Sequence, residues 1–393
     1  MIKKIFLLLL AFQLCNGMTA QTSWTGTWAT AMQPIFDKAR IATDLSGHSI
    51  RQVLRTSIGG SALRLQLSNA YSDEPLEISS IYIAEAADSC DILPRTVRYL
   101  TFGGKRNVTL QAHEECFSDS LPFQVQSLQR LAVTICYVRS PKNPTLHAAP
   151  LATTYIVPGI SKPKKRFVNA EHAGRWYNIA TLEVVSDKSA IVCIGNSITD
   201  GAHAHQGCER WTDVMADSLT TWGIPMGVLN LGIGANKVLG PARGEPLVKR
   251  FDRDVLQQHG VKSVIILEGV NDIGNTPEGQ SEETARQLIQ AYKELAKKAH
   301  DKGLKIYIGT ILPFKGRAKF DTHFHEAARL VVNDWIRQQK VFDGVIDFDA
   351  ALRDPADPAR LQKQFQADWL HPNPAGYAVM GRVAAEYIKK VMK

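Results

Sequence analysis

The stretch Ala190-Ile191-Val192-Cys193-Ile194-Gly195-Asn196-Ser197-Ile198-Thr199-Asp200-Gly201 decides how this chain is read. Its first half is apolar without interruption, as a strand covered on both faces must be. Its second half turns polar at once, which places Ser197 at a carboxyl strand end, where a tight turn would present its Oγ. Further along, the same strand–loop–helix unit recurs. Apolar strand cores fall at 191–194, 227–229, 263–267, 306–311 and 345–348, and amphipathic helical patterns at 211–219, 247–258, 282–300, 324–338 and 375–392. Buried parallel strands alternating with helices predict a doubly wound α/β domain. Ligands of such sheets sit beyond the carboxyl ends of the strands, so chemistry is expected in the segments just after them.

Toward the N-terminus the texture changes. Between 24 and 186 short alternating runs are separated by turn residues. Leu63, Leu65 and Leu67 alternate with Arg64, Gln66 and Ser68, and further runs lie at 81–83, 97–102, 131–138, 155–157 and 179–185. Gly59-Gly60, Gly103-Gly104 and Asn143-Pro144 punctuate them. Many short strands at this spacing predict an antiparallel β-sandwich. The expected division is a signal peptide over 1–20, a sandwich over 22–186 and the α/β domain over 187–393.

The signal peptide is read from Lys3 and Lys4, an apolar run to Leu14, and then Gly17, Thr19 and Ala20. That run is too short to span a bilayer. The expectation is an exported protein, periplasmic or extracellular, without a membrane span. Phe12, Gln13 and Leu14 are bulky for a lipid-attachment signal before Cys15.

Composition sets outer bounds. With 393 residues, 45% hydrophobic and 21% charged, the chain is neither disordered, collagenous nor a multi-span membrane protein. At roughly 150 residues per domain it holds two or three. The net charge of +8 is spread along the chain. Its densest run, Lys162, Lys164, Lys165 and Arg166, reads as a solvated linker, and no nucleic-acid-binding signature accompanies it. Beyond Cys15, the cysteines Cys90, Cys116, Cys136, Cys193 and Cys208 are odd in number and form no CxxC, which excludes a disulfide scaffold and a zinc ribbon. Cys193 is expected as a buried free thiol, and pairing of Cys90 with Cys116 stays open.

Four strand exits and loops carry candidate chemistry. Ser197 follows the first strand, where a hydroxyl nucleophile needs an adjacent base. The second exit reads Asn230-Leu231-Gly232-Ile233-Gly234-Ala235-Asn236, the third Gly269-Val270-Asn271-Asp272, and Asp368-Trp369-Leu370-His371-Pro372-Asn373 lies near the C-terminus. Each is weak alone, since such residues commonly cap helices and build turns. In this order and at these positions they form a specific pattern.

The set resembles the blocks of the SGNH hydrolases, also called the GDSL esterases and lipases, over about 190–393. Ser197 matches the serine of the first block, Asn271 the asparagine of the third, and Asp368 with His371 the Asp-x-x-His of the last. The front half resembles the sandwich domain of secreted bacterial members grouped with xylan-degradation esterases. The resemblance implies a flavodoxin-like catalytic domain behind a jelly-roll-like sandwich and a Ser197–His371–Asp368 triad. It also implies an oxyanion hole made from the N–H groups of Ser197 and Ala235, with Gly234 as the alternative, and from the Asn271 amide. Two positions depart from the pattern. Asn196 stands where the family has aspartate, and Ala235 falls where it has glycine. Alanine keeps the N–H donor if its φ avoids positive values.

The activity implied is a secreted serine esterase removing O-acyl groups, above all acetyl, from carbohydrate. The alternatives are an arylesterase or lipase acting on small aromatic or lipidic esters, and a carbohydrate-binding protein with a vestigial hydrolase domain. Trp369, His203 and Phe314 are candidate substrate contacts. Asp200, His203 and His205 match no compact ligand motif, so neither metal nor cofactor is expected. His323 and His325 are expected at the surface.

Overall fold

The computed structural model describes residues 23–36, 44–160, 162–205 and 209–392. The expected signal peptide, Cys15 and Cys208 lie outside them.

Two antiparallel sheets build the front half. One runs Trp24–Ala29, Ile179–Val185, Gly60–Ser68 and Glu115–Phe117, with Leu121–Val125 also paired to Gly60–Ser68. The other is centred on His48–Arg55, Arg130–Arg139 and Leu76–Glu85. The two-residue period sends Leu63, Leu65, Leu67, Leu182 and Val184 of the first sheet into one core with Ile50, Ile81, Ile83, Val133 and Ile135 of the second. Arg64, on the outer face between these leucines, pairs with Glu183 at 2.6 Å.

The back half holds a parallel sheet of β1 (Ala190–Gly195), β2 (Gly227–Gly232), β3 (Val261–Leu267), β4 (Lys305–Gly309) and β5 (Gly344–Ile346), in the order β2-β1-β3-β4-β5. This is the flavodoxin-like order, whose switch point lies at the carboxyl end of β1. Gly195 at that end is level with Gly232 of β2 and Leu267 of β3. The helices are α1 (Ser197–Asp200), α2 (Trp211–Thr221), α3 (Leu247–Phe251), α4 (Val270–Gly274), α5 (Ser281–Asp301), α6 (His323–Gln338), α7 (Phe348–Leu352) and α8 (Pro374–Val391).

Local chemistry corrects several expectations. The strand expected over 345–348 stops at Ile346, because Asp347 accepts the Ala350 N–H at 3.0 Å and starts α7. The helix expected over 247–258 becomes a π turn at Asp252–Leu256, where Asp254 meets Arg250 at 3.0 Å and Arg253 at 2.7 Å. His325 is buried rather than superficial, its ring nitrogens 3.1 and 3.0 Å from the carbonyls of Phe320 and Thr276. Cys90, Cys116 and Cys193 are free thiols, and Cys193 is fully buried.

The two halves meet along β2, the edge of the parallel sheet. Strand Trp24–Ala29 lies over that edge so closely that a Cβ at Gly227 would sit 2.2 Å from the Gly26 carbonyl oxygen. The Val228 N–H donates to Ser57 Oγ at 2.8 Å. Arg55 pairs with Asp217 at 2.6 Å, and the Tyr71 hydroxyl donates to Glu245 at 2.6 Å. The open edge is thereby covered, and the sandwich is fixed beside the strand ends.

Candidate active site

Asn196 ends β1 by turning its side chain back, so that its Oδ1 accepts the Ile198 N–H at 2.9 Å. Ser197 becomes the first residue of α1, and its N–H has no partner within the helix. Its Oγ lies 2.8 Å from His371 Nε2, which comes from the other end of the domain. Asp368 shapes the loop that brings the histidine. Its Oδ1 accepts the backbone N–H groups of Leu370 at 3.2 Å and His371 at 2.9 Å, and both carboxylate oxygens lie 3.0 Å from His371 Nδ1. The three-residue spacing thus lets one carboxylate make the turn and orient the ring. Asn373 then caps α8 by accepting the Gly376 N–H at 3.0 Å, with Pro374 as its first residue.

The electrostatics assign the proton. Burial pushes the Asp368 carboxyl up, but the hydrogen bonds it accepts from the His371 ring and backbone outweigh it and hold the group well below the usual carboxylate range. Arg317 Nη1 donates to Asp368 Oδ2 at 2.9 Å. An ionised Asp368 can only accept, so Nδ1 carries the proton and Nε2 is left to accept from the Ser197 hydroxyl.

The next two strand exits are tied to this one. Asn271 Nδ2 donates to the Asn236 carbonyl at 2.9 Å, and Asp272 accepts the N–H groups of Val238 at 2.9 Å and Leu239 at 3.0 Å. Asn196 Nδ2 donates to Glu268 Oε1 at 2.9 Å. Arg250, fully buried, donates to the carbonyls of Gly195 at 2.9 Å and Leu231 at 2.7 Å and to Asn236 Oδ1 at 3.0 Å. Burial and the nearby Asp272 charge push Glu268 up to about 8, and burial pushes Asp272 up to about 6. Glu268 is thereby biased toward its neutral form, and the Asn196 amide brings no second charge to it. That is the local consequence of asparagine at position 196.

Ala235 corrects an expectation. Its φ is +58°, in the left-handed region that the retained-donor condition excluded. The residue is exposed, and among the described residues its N–H has no hydrogen-bond partner. The Gly234 N–H is already engaged, donating to Asp200 Oδ2 at 3.1 Å. Of the two, Ala235 presents the free donor.

The substrate candidates separate. His203 is exposed, with φ +67°, its Nε2 3.5 Å from Asp368 Oδ2 and its ring centroid 5.3 Å from that of His371. Trp369 is half-buried with φ +64°, and the Arg360 guanidinium lies 4.9 Å from its ring centroid. Phe314 is 1% exposed and packs edge-on against Phe320 at 5.9 Å, so it is a core residue closed to substrate.

Asp200, His203 and His205 do not converge. Asp200 is held by His147 at 3.0 Å, and His205 pairs with Glu209 at 2.8 Å. Among the described residues His203, Asp368 and His371 do bring donor atoms within 4.8 Å of one another. Arg317 stands on the same carboxylate oxygen that a cation would take, and its charge opposes one there.

His147, Arg250, Glu268 and Arg317 escaped the sequence reading. Glu268 carries a faint signal, since it directly precedes the Gly269-Val270-Asn271 exit. Arg317 and His147 lie far along the chain from the groups they touch, and no spacing rule links them.

The fold is doubly wound α/β, and hydroxyl, imidazole and carboxylate converge at its switch point. Residues 193–379 match the model of the GDSL-like lipase/acylhydrolase family, which supports a GDSL/SGNH-like lipase or esterase fold for this part of the chain. A search of curated proteins found no match. Among solved structures, a GDSL-like lipase from Bacteroides thetaiotaomicron is similar at 19% identity and a TM-score of 0.38, over 52% of this chain and 89% of that one. A member of the lipolytic protein G-D-S-L family from Veillonella parvula is similar at 22% identity and a TM-score of 0.39, over 51% and 99%.

Proposed function

We propose that this protein is a secreted serine esterase that removes O-acetyl groups from carbohydrate through a Ser197–His371–Asp368 triad. The observation that carries the reading is the 2.8 Å contact from Ser197 Oγ to His371 Nε2, with Asp368 on the opposite ring nitrogen. His371 takes the Ser197 proton as Oγ attacks the ester carbonyl, and later gives it to the leaving alcohol. Asp368 holds the tautomer and stabilises the imidazolium. The N–H groups of Ser197 and Ala235 and the second Nδ2 hydrogen of Asn271 stabilise the tetrahedral oxyanion, each worth roughly 3–4 kcal/mol. Water repeats the sequence on the acyl-enzyme.

The carbohydrate part rests on the resemblance of the front sandwich to that of secreted relatives, and the export part on the composition of residues 1–20. No helix among the described residues is long and apolar enough to cross a membrane. The test is acetate release from acetylated xylan, beside a chain-length series of nitrophenyl esters, with Ser197→Ala as the control. Acetate release and a preference for short acyl chains are expected, both lost in the variant. A preference for long chains with no acetate released assigns the alternative arylesterase or lipase activity. Activity unchanged in Ser197→Ala removes the triad.

A further inference from the structure

Asp200 is a problem for the chemistry proposed above. It closes α1, the four-residue helix that begins with the nucleophile. Its Oδ2 accepts the Gly234 N–H at 3.1 Å, one residue before the free Ala235 N–H. A bare carboxylate so close to a developing oxyanion would raise the barrier, because like charges repel strongly where water is excluded. The Asp200 side chain is only 8% exposed, so solvent does little to screen it.

The front sandwich supplies a partner for it. His147 lies on the short strand Leu146–His147, paired with Trp176–Tyr177. Its side chain is 2% exposed, and its Nε2 lies 3.0 Å from Asp200 Oδ1. Its Nδ1 lies 2.8 Å from the Ala31 carbonyl oxygen. A carbonyl only accepts, so Nδ1 is the nitrogen that donates to Ala31, and Nε2 is the one that faces Asp200. It differs in this from His371, whose second nitrogen faces a hydroxyl.

The same chain of contacts bears on backbone conformation. Ala235 sits at φ +58°, where a β-carbon is strained by about 1–2 kcal/mol. Such a residue holds that conformation only when its surroundings over-determine it. The restraint adjacent in sequence is the Gly234 N–H on Asp200, and Asp200 is in turn held by His147.

We infer that the sandwich domain takes part in ester hydrolysis through His147, a positioning residue that binds Asp200 and through it holds the oxyanion loop at Gly234 and Ala235. The inference rests on the triad reading. An oxyanion donor acts on the transition state more than on the bound ester, so the effect is expected in kcat and in the binding of a tetrahedral mimic, with KM little changed.

The experiment compares His147→Ala, His147→Gln, Asp200→Asn and the double variant His147→Ala/Asp200→Asn in the full chain, using a short-chain nitrophenyl ester. Each is measured for kcat, KM, thermal midpoint and the affinity of an alkyl boronic acid as tetrahedral mimic. His147→Ala is expected to lose about 10- to 100-fold in kcat, with a matching loss of boronate affinity and an unchanged KM. His147→Gln, which keeps a donor toward Asp200, recovers part of both. Asp200→Asn loses less than His147→Ala, and the double variant is no worse than His147→Ala. If His147→Ala does not fold, the His147→Gln and Asp200→Asn pair carries the same comparison. A kcat and boronate affinity equal to the parent's overturn the inference, as do losses that add in the double variant or that follow the thermal midpoint alone. Failure of the triad reading has a separate signature, activity surviving in Ser197→Ala.

Discussion

Two histidine–aspartate pairs bracket α1, and their rings meet different partners. His371 and Asp368 approach its first residue from the C-terminal loop, where the ring is 12% exposed. His147 and Asp200 close on its last residue, where the ring is 2% exposed and comes from the other half of the molecule. Both imidazoles meet a carboxylate at 3.0 Å. The difference is on the far nitrogen. A hydroxyl there can give up a proton, which is what the proposed base requires of His371; a carbonyl cannot, so the far nitrogen of His147 is held as a donor. On the proposed reading, the same two residue types become a proton carrier or a brace according to one neighbouring atom.

Removing the orienting carboxylate tests the first pair most severely. Asp368→Asn leaves the turn able to form but favours the wrong tautomer of His371, and kcat should fall by about 10⁴-fold in steady-state kinetics. A loss of only a few-fold would place His371 outside proton transfer and erase the contrast with His147. Next in size is Asn271→Ala, which removes an oxyanion donor and should cost about 10²- to 10³-fold in kcat with KM little changed. A change confined to KM would move Asn271 from the oxyanion to substrate binding.

Arg317→Gln is milder. It takes one hydrogen bond from an Asp368 that His371 still engages, so a loss of roughly 3- to 10-fold is expected, of the size of one such bond. A loss as large as that of Asp368→Asn would make Arg317 an equal partner of the carboxylate.

The smallest effect on rate, and the clearest on stability, belongs to Glu268. Burial and the charge of Asp272 raise it to about 8 in the folded protein, against about 4.3 in an unfolded chain. Between those values the native state binds the extra proton, so stability falls as pH rises through that window and levels off above it. Glu268→Gln should match the parent's thermal midpoint near pH 4.5 and lead it progressively up to pH 8. A gap that does not change with pH would show that Glu268 is ionised throughout, and that Asn196 faces a charge.

The legible part of this protein is the part written locally. The apolar run into Gly195, the polar break at Asn196-Ser197 and the Asp368-x-x-His371 spacing each describe a few neighbouring residues, and the parallel order of strands follows from their alternation with helices. Errors came where a side chain overrode the pattern. Asp347 caps a helix inside an apolar run, and His325 is drawn inward by two carbonyls. Phe314 follows a strand end, as a pocket residue would, yet packs into the core.

By itself the sequence determined a β-rich front half, a doubly wound back half and the residues with chemistry to offer at the strand ends. Hydrophobic period and turn chemistry act over a few residues, so one chain displays them. Tertiary structure alone decided that Gly234 has spent its N–H while Ala235 has not. It alone set Arg317 on Asp368 and brought a histidine of the sandwich to Asp200. Those outcomes depend on how distant segments meet, with His147 and Asp200 53 positions apart and Arg317 and Asp368 51 positions apart. Hydrogen bonding is directional at a few tenths of an ångström, and no local pattern encodes a distance of that kind.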